Sequence, residues 1–430
     1  MRLLKNLIKY SLLTVCSFSA TAGCSSPVGS SRAASTRTIV FKHGKIFGDS
    51  GPLKTLLREF EVNNPGVSVL DEELPSSTDE QHQFYVINLQ GESASFDVFA
   101  LDVIWISEFA RAGWLRNLSD SLPVAAREDF FSATIDAVTY REQIYALPWV
   151  IGAGLLYYRK DLLEKYGFAP PQSWTDVVAA ASQITAKESN LHGFVWQGKQ
   201  YEGLVCNSLE YLWTFGGKVI EDGHSVINSK ENINALKMMR SMIYDFHITP
   251  EFVTTLTEEP SRRLFGAGRA LFMRNWPYAW SLFEQTSSPV YNKVGVTTIP
   301  RGPAGESYAT LGGWHLGVNK YSRSPELAQK LARFLTSAYA AKKLALGTGH
   351  EPTRRSLYKD PELLRKHPFK RKLKDIFEKA RPRPVTPYYM MISQVMQREF
   401  SAAISRIKTP QHALVDAHDQ IEHILAIEKQ

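Results

Sequence analysis

The stretch from Tyr145 to Gly167, YALPWVIGAGLLYYRKDLLEKYG, constrains the fold more than any other part of this 430-residue chain. ALPWVIGAGLLYY reads as a strand crossing, and it feeds at once into a helix over RKDLLEKYG. The rest of the chain keeps this alternation of strand and helix. Thr38–Phe41 is strand-like. Pro52 then opens a helix with Leu53, Leu56, Leu57 and Phe60 at i, i+3, i+4 and i+7, and Asn63-Asn64-Pro65-Gly66 stops it. Val67–Leu70 is a second strand, Asp79–Leu89 a second helix, and Asp97–Ala100 a buried strand ending at Leu101-Asp102. Ser173 caps a helix that begins at Trp174. Asn232–Phe246 is an amphipathic helix, and Val294–Ile299 and Leu316–Val318 return to strand. Pro325–Tyr339 is helical, as is most of the C-terminal third, which ends in a helix from Pro410 to Ile427. The order predicts an α/β fold, with two lobes joined by several crossings. The roughly 390 residues available are enough for two hydrophobic cores.

Arg2, Lys5 and Lys9 precede a short apolar run, Leu12 to Phe18, and then small residues up to Thr21-Ala22-Gly23-Cys24. That is the three-part plan of a secretion signal. Ala-Gly-Cys is the core of a lipoprotein cleavage site and makes Cys24 the expected lipidation point. Thr21 stands where Leu is usual, and an ordinary signal peptide cleaved after a small residue is the alternative. The apolar run is shorter than the ~20 residues that a bilayer span needs. Residues 1–23 are therefore read as signal peptide, and 24–37, rich in Ser, Ala and Gly, as a flexible tether. Cys16 would leave with the signal and Cys24 would carry lipid. Cys206 is then a lone thiol in the apolar run GLVCNSLEYLW, a core residue rather than a nucleophile. The formal charge of +7 falls to about +4 without residues 1–23, and the excess clusters between Arg354 and Arg383. A solvated helix face explains it, as does contact with anionic lipid beside the anchor. Export and the lack of any recognition motif argue against nucleic acid as a partner.

The crossing stretch has four companions: DVFALDVIWISEFARAGWL (97–115), YEGLVCNSLEYLWTFGG (201–217), FMRNWPYAW (272–280) and TLGGWHLGVNK (310–320). Together they resemble the bacterial extracellular solute-binding proteins of ABC importers, most of all the trehalose/maltose-binding group. The resemblance covers nearly everything after residue 37. It implies a type II periplasmic-binding-protein fold, with a ligand cleft between lobes that close by hinge motion. Lobe 1 would be 38–148 plus 312–348, and lobe 2 would be 149–311 plus 349–430. The crossings would lie near Leu147–Gly152, Ile299–Gly312 and Gly347–Pro352. It also implies an ABC permease as partner, a monomer with no cofactor and no metal, and a lipid-anchored position on the outer face of the cytoplasmic membrane.

A sugar site needs carboxylates, Arg or amides for hydroxyls, and flat aromatics for the C–H faces of the ring. Asp102 ends its strand where ligands of α/β folds bind, and it resembles the family's sugar-hydroxyl acceptor. Capping the next helix is its plainer role, and the two can coexist. The resemblance makes Trp276 the stacking platform, with Tyr278 near it, although either ring would also serve as core. Gly312-Gly313-Trp314 resembles the segment that brings backbone N–H groups and an aromatic ring to the ligand, and a bulge at a crossing is the alternative. His315 follows, and a part in selectivity is only a suggestion for it. Asp49, in the Gly-rich loop HGKIFGDSG (43–51), matches a carboxylate region of the family, and that loop lacks the P-loop order. Arg383, in RPRPVTPYY, resembles a basic residue that donates to sugar oxygens, and its fork suits paired hydroxyls. Glu202 and Gln197 are weaker candidates.

One departure bears on the ligand. Relatives read roughly P-x-x-x-D-A-G-L-L-Y-Y at the crossing, with the Asp on the sugar, and here Gly152 takes that place. Trehalose and maltose are therefore joined by sucrose and glucosylglycerol as expected ligands. A binder of a non-sugar solute such as glycerol 3-phosphate is the alternative. An exported glycoside hydrolase is the weaker rival: it needs two carboxylates at a set separation, and neither Gly-x-Ser-x-Gly nor His-Glu-x-x-His occurs. His412, His418 and His423 fall on the solvent side of the last helical pattern and suggest no metal site.

Overall fold

The computed structural model describes residues 37–46 and 49–428. The signal sequence, the tether as far as Thr36, Cys24, and Phe47-Gly48 of the first loop lie outside the described residues.

The strands are, in chain order, β1 (Arg37–Gly44), β2 (Val67–Leu74), β3 (Val98–Asp102), β4 (Thr139–Tyr140), β5 (Gln143–Ile144), β6 (Ala146–Ala153) and β7 (Leu155–Arg159). After them come β8 (His192–Val195), β9 (Ile220–Glu221), β10 (His224–Ser225), β11 (Ala270–Asn275), β12 (Val294–Thr297), β13 (Leu311–Val318) and β14 (Glu351–Pro352). Six of them form one mixed sheet in the order β14-β6-β13-β3-β1-β2, and four form a second in the order β12-β7-β11-β8. β1 runs parallel to both β2 and β3, whereas β13 is antiparallel to β3 and β6. Every residue of β3, β6 and β11 is buried, as near-continuous apolar runs require when a sheet is covered on both faces. This is the mixed α/β, two-lobed architecture that the alternation of elements predicts.

Local chemistry sets the helix ends. Pro52 sits in the first turn of Gly51–Val62, which buries Leu53, Leu56, Leu57 and Phe60. Ser173 and Asp176 form a reciprocal capping box at Trp174–Thr185. The helix expected over Pro325–Tyr339 is two helices, Pro325–Leu335 and Ala338–Thr348. Ser337 is extended and accepts from Ala340 N at 3.2 Å, so an N-cap interrupts the apolar spacing.

The passage between the sheets positions the cleft. β6 pairs with β13 as far as Ala153 and β7 begins at Leu155, so the chain changes sheet at Gly154. A buried ion pair lies against that residue: Arg274, on β11, donates to Glu210 Oε1 at 2.6 Å and Oε2 at 3.0 Å. A Cβ on residue 154 would stand 1.9 Å from Glu210 Oε1, so only glycine fits. The returning crossing meets the same carboxylate, with Thr310 N donating to Glu210 Oε1 at 3.1 Å. Gln197 completes the knot, donating to the Arg274 carbonyl at 2.9 Å while its own oxygen accepts from Asn207 at 3.0 Å.

Candidate functional site

A cavity of about 410 Å³ lies where the carboxyl end of β3, the middle of β6 and β13, and the loop after β11 converge. One of its walls is aromatic. Trp276 follows β11, and the Arg274 guanidinium lies 4.1 Å from the centre of its ring. The benzo edge of that ring is flanked by bare backbone: a Cβ on Gly312 would come within 3.0 Å of it, and one on Gly152 within 3.6 Å. Gly152 thus supplies no side chain, although a Cβ there would make only ordinary van der Waals contact, and it is Gly312 that lets the indole lie close to the strand. Trp314 lies across the cavity, its ring edge-on to Trp105 at 5.6 Å. Gly313 has φ +141, and a Cβ there would meet the Val150 carbonyl oxygen at 2.4 Å, so this turn of β13 is open to glycine alone.

The polar wall is a buried charge cluster. Arg383 Nη2 donates to Asp102 Oδ1 at 2.9 Å, and Nη1 donates to Glu202 Oε1 at 2.8 Å. Asp102 Oδ1 also accepts from Ile104 N at 3.2 Å. The capping role therefore exists beside the cleft position, and all the described bonds of this carboxylate fall on one oxygen. Burial pushes the Asp102 carboxyl up, against the pull of Arg383. Glu202 is further held by Tyr389 Oη at 2.7 Å and by the Ser393 hydroxyl. Arg383 Nε is buried and has no hydrogen-bond partner among the described residues. Asp79, in the first turn of Thr78–Gln90, sits near this cluster. Burial, with Glu202 next, pushes its carboxyl up to about 6, and its buried Oδ1 is unpartnered.

The sequence-derived candidates divide unevenly. Asp102, Trp276, Tyr278, Gly312, Gly313, Trp314 and Arg383 all line the one cavity. Asp49 does not: it is exposed and accepts from Gly51 N at 2.8 Å, a turn at the start of a helix. Gln197 belongs to the knot between the sheets, whereas Glu202 lines the cavity. His315 is buried away from the cavity lining with both ring nitrogens unpartnered, and burial pulls its pKa down to about 3. Cys206 is buried and its thiol is pushed up by burial, as suits a core residue. Sequence reasoning missed Glu258, Tyr201 and Glu351, which also line the cavity. The one sequence signal for Glu258 was its place in the Glu258-Glu259-Pro260 start of a helix, and that does not distinguish a cleft residue from a surface one.

The family model for bacterial extracellular solute-binding proteins matches residues 48–342. The chain belongs to that family. This solute-binding protein is 38% identical over 361 residues to a probable ABC transporter-binding protein of Deinococcus radiodurans, covering 82% of this chain and 85% of that one. Among solved structures it is similar to maltose-bound T. maritima MalE3, at 43% identity and a TM-score of 0.86, covering 90% of this chain and 99% of that one. It is also similar to a solute-binding protein of Thermotoga lettingae bound with alpha-D-tagatose, at 25% identity and a TM-score of 0.82, covering 90% and 100%. The solute-binding protein is thus the substrate-binding component of an ABC transporter, with sugar-binding neighbours that are receptors rather than enzymes. No helix among the described residues is long and apolar enough to cross a membrane.

Proposed function

We propose that this protein is a lipid-tethered receptor that captures a small neutral sugar or glycoside, of the trehalose, maltose, sucrose or glucosylglycerol type, and delivers it to an ABC permease. The observation that carries this reading is the pairing of the Trp276 ring with the Asp102–Arg383–Glu202 cluster in one cavity. The ring offers a flat face for sugar C–H groups. The cluster offers a carboxylate oxygen of Asp102 that takes no described bond, with the Arg383 guanidinium beside it, for adjacent hydroxyls. Tyr278, Gly312, Gly313 and Trp314 complete the wall, and two structural neighbours that hold maltose and tagatose favour the same class. Asp49 stays outside this proposal because it does not line the cavity.

Charge argues against glycerol 3-phosphate. Arg383 is already shared by Asp102 and Glu202, and Glu258 beside the ring makes no ion pair among the described residues, so the wall around Trp276 disfavours an anion even though Lys45 and Lys199 also line the cavity. A hydrolase is disfavoured because the relatives and neighbours are binding proteins, and because Asp102 and Glu202 both bond to the one Arg383. The lobes are proposed as 38–148 plus 312–348 and 149–311 plus 349–430, but β6 as far as Ala153 and β14 (Glu351–Pro352) pair within the six-stranded sheet, so the first passage runs on to Gly154 and residues 351–352 go with the first lobe. Cys24 is the proposed lipid attachment, outside the cytoplasmic membrane.

The test is calorimetric titration of residues 37–430 with trehalose, maltose, sucrose, glucosylglycerol and glycerol 3-phosphate. Binding of one neutral glycoside is the expected result. Tight binding of the phosphate alone, or turnover of a chromogenic glycoside, refutes the reading.

A further inference from the structure

We infer that Glu258 is a specificity-determining carboxylate of the cleft, accepting a hydrogen bond from a hydroxyl of the sugar whose ring lies on Trp276. The inference rests on the neutral-glycoside reading above. Glu258 opens the helix Glu258–Gly266, where the free backbone N–H ends favour a negative side chain. Each of its oxygens takes one bond from the protein. Oε2 accepts from Tyr201 Oη at 2.7 Å, and Oε1 accepts from Trp276 Nε1 at 3.5 Å. An ionised carboxylate has about four acceptor positions, so acceptor capacity remains on the cavity side.

The other carboxylates of the lining are differently placed. Glu259 is clamped by both forks of Arg262, Glu351 holds Lys370 at 2.6 Å, and Asp102 and Glu202 share Arg383. Among the described residues Glu258 alone of this set makes no ion pair, and its remaining capacity goes to the ligand or to water. Its position relative to the ring is fixed by Asn275. That side chain donates to the Glu258 main-chain carbonyl at 3.1 Å and accepts from the Trp276 amide at 2.8 Å, so the main chains that carry the carboxylate and the indole are tied together.

The two edges of the indole are therefore unlike. Gly152 and Gly312 present bare backbone at the benzo edge, and Glu258 stands at the N–H edge. A sugar stacked on the face must point one rim of hydroxyls at Glu258. A hydroxyl there makes a charge-assisted bond, and an analogue lacking that hydroxyl leaves a desolvated carboxylate unsatisfied.

The test titrates wild type first with trehalose, maltose and sucrose. The best binder is then compared with its monodeoxy analogues in wild type, Glu258→Gln and Tyr201→Phe. Wild type is expected to lose at least about tenfold for one deoxy analogue. Glu258→Gln is expected to bind the parent sugar at least about tenfold more weakly and to treat that analogue and the parent alike. Tyr201→Phe keeps the carboxylate and should keep the discrimination. A Glu258→Gln protein that discriminates among the analogues as wild type does overturns the assignment and leaves the sugar reading intact. Silence of wild type toward these three sugars and toward glucosylglycerol overturns both. If Glu258→Gln does not fold, Glu258→Asp serves instead: it retracts the carboxylate by one methylene, and undiminished discrimination there also overturns the assignment.

Discussion

Replacing Trp276 with alanine removes the face on which the ligand is proposed to rest, and the structure sets the size of the loss. The indole is half-buried in the unliganded protein, with Arg274 on one side and the backbones of Gly152 and Gly312 at its benzo edge. A tryptophan side chain buries about 150–250 Å² when fully covered. At most about a third of that, roughly 50–85 Å², is left for the ligand, and at ~25 cal/mol per Å² this is worth about 1–2 kcal/mol. Affinity should fall roughly 5- to 30-fold. The fold should survive, because Arg274 keeps its bidentate bond to Glu210 and Glu258 keeps its bond to Tyr201 when the ring is gone. Calorimetric titration with the best-binding glycoside measures the loss, and thermal unfolding followed by circular dichroism checks the fold. Trp276→Phe, which keeps a smaller flat face, should fall between alanine and wild type. An unchanged dissociation constant in a folded Trp276→Ala protein refutes the platform role.

Arg274→Met strands Glu210 as a buried, unpaired charge and should cost about 3–5 kcal/mol in denaturant unfolding; a loss below 1 kcal/mol would show that water reaches the pair. Gly154→Ala drives a Cβ into Glu210 and should also destabilise, with most of the effect absent in an Arg274→Met background, where the pair is already broken. The Asp79 carboxyl is raised to about 6, so the folded state holds its proton at pH values where the unfolded chain has released it, and stability falls as pH rises from about 4 to about 6. Asp79→Asn should therefore raise the melting temperature above pH 6 and give no gain near pH 4. An equal gain at both pH values contradicts that account.

Much of the fold is legible in the sequence because its elements are set locally. The helix after Pro52 buries the four residues that its spacing selects, and Ser173 caps where its side chain can reach the third amide. The split near Ser337 is hidden because Pro325–Tyr339 keeps apolar spacing through the cap. The cleft is legible in part. Asp102 and Trp276 stand at strand ends, and strand ends show in the pattern of apolar runs. The partners of Glu202 and Glu258 do not show: Arg383 lies 181 residues from Glu202, and Tyr201 lies 57 residues from Glu258. No local pattern encodes those meetings. Asp49 failed for the converse reason. A carboxylate in a Gly-rich loop looks alike whether it faces a ligand or closes its own turn, and here it bonds to an amide two residues away.

The Glu210–Arg274 pair has a mechanical consequence. Apolar side chains packed across a joint make non-directional contacts and permit the small sliding of a shear motion. Two parallel charged hydrogen bonds in a dry interior hold one geometry and lose much of their strength outside it. Gly154 and Thr310, which carry the chain from one sheet to the other and back, both rest on this pair. Turning one sheet against the other can twist the backbone about that point but cannot shear past it. The joint behaves as a pin rather than a slide bearing, and the pin is built from one carboxylate and one guanidinium.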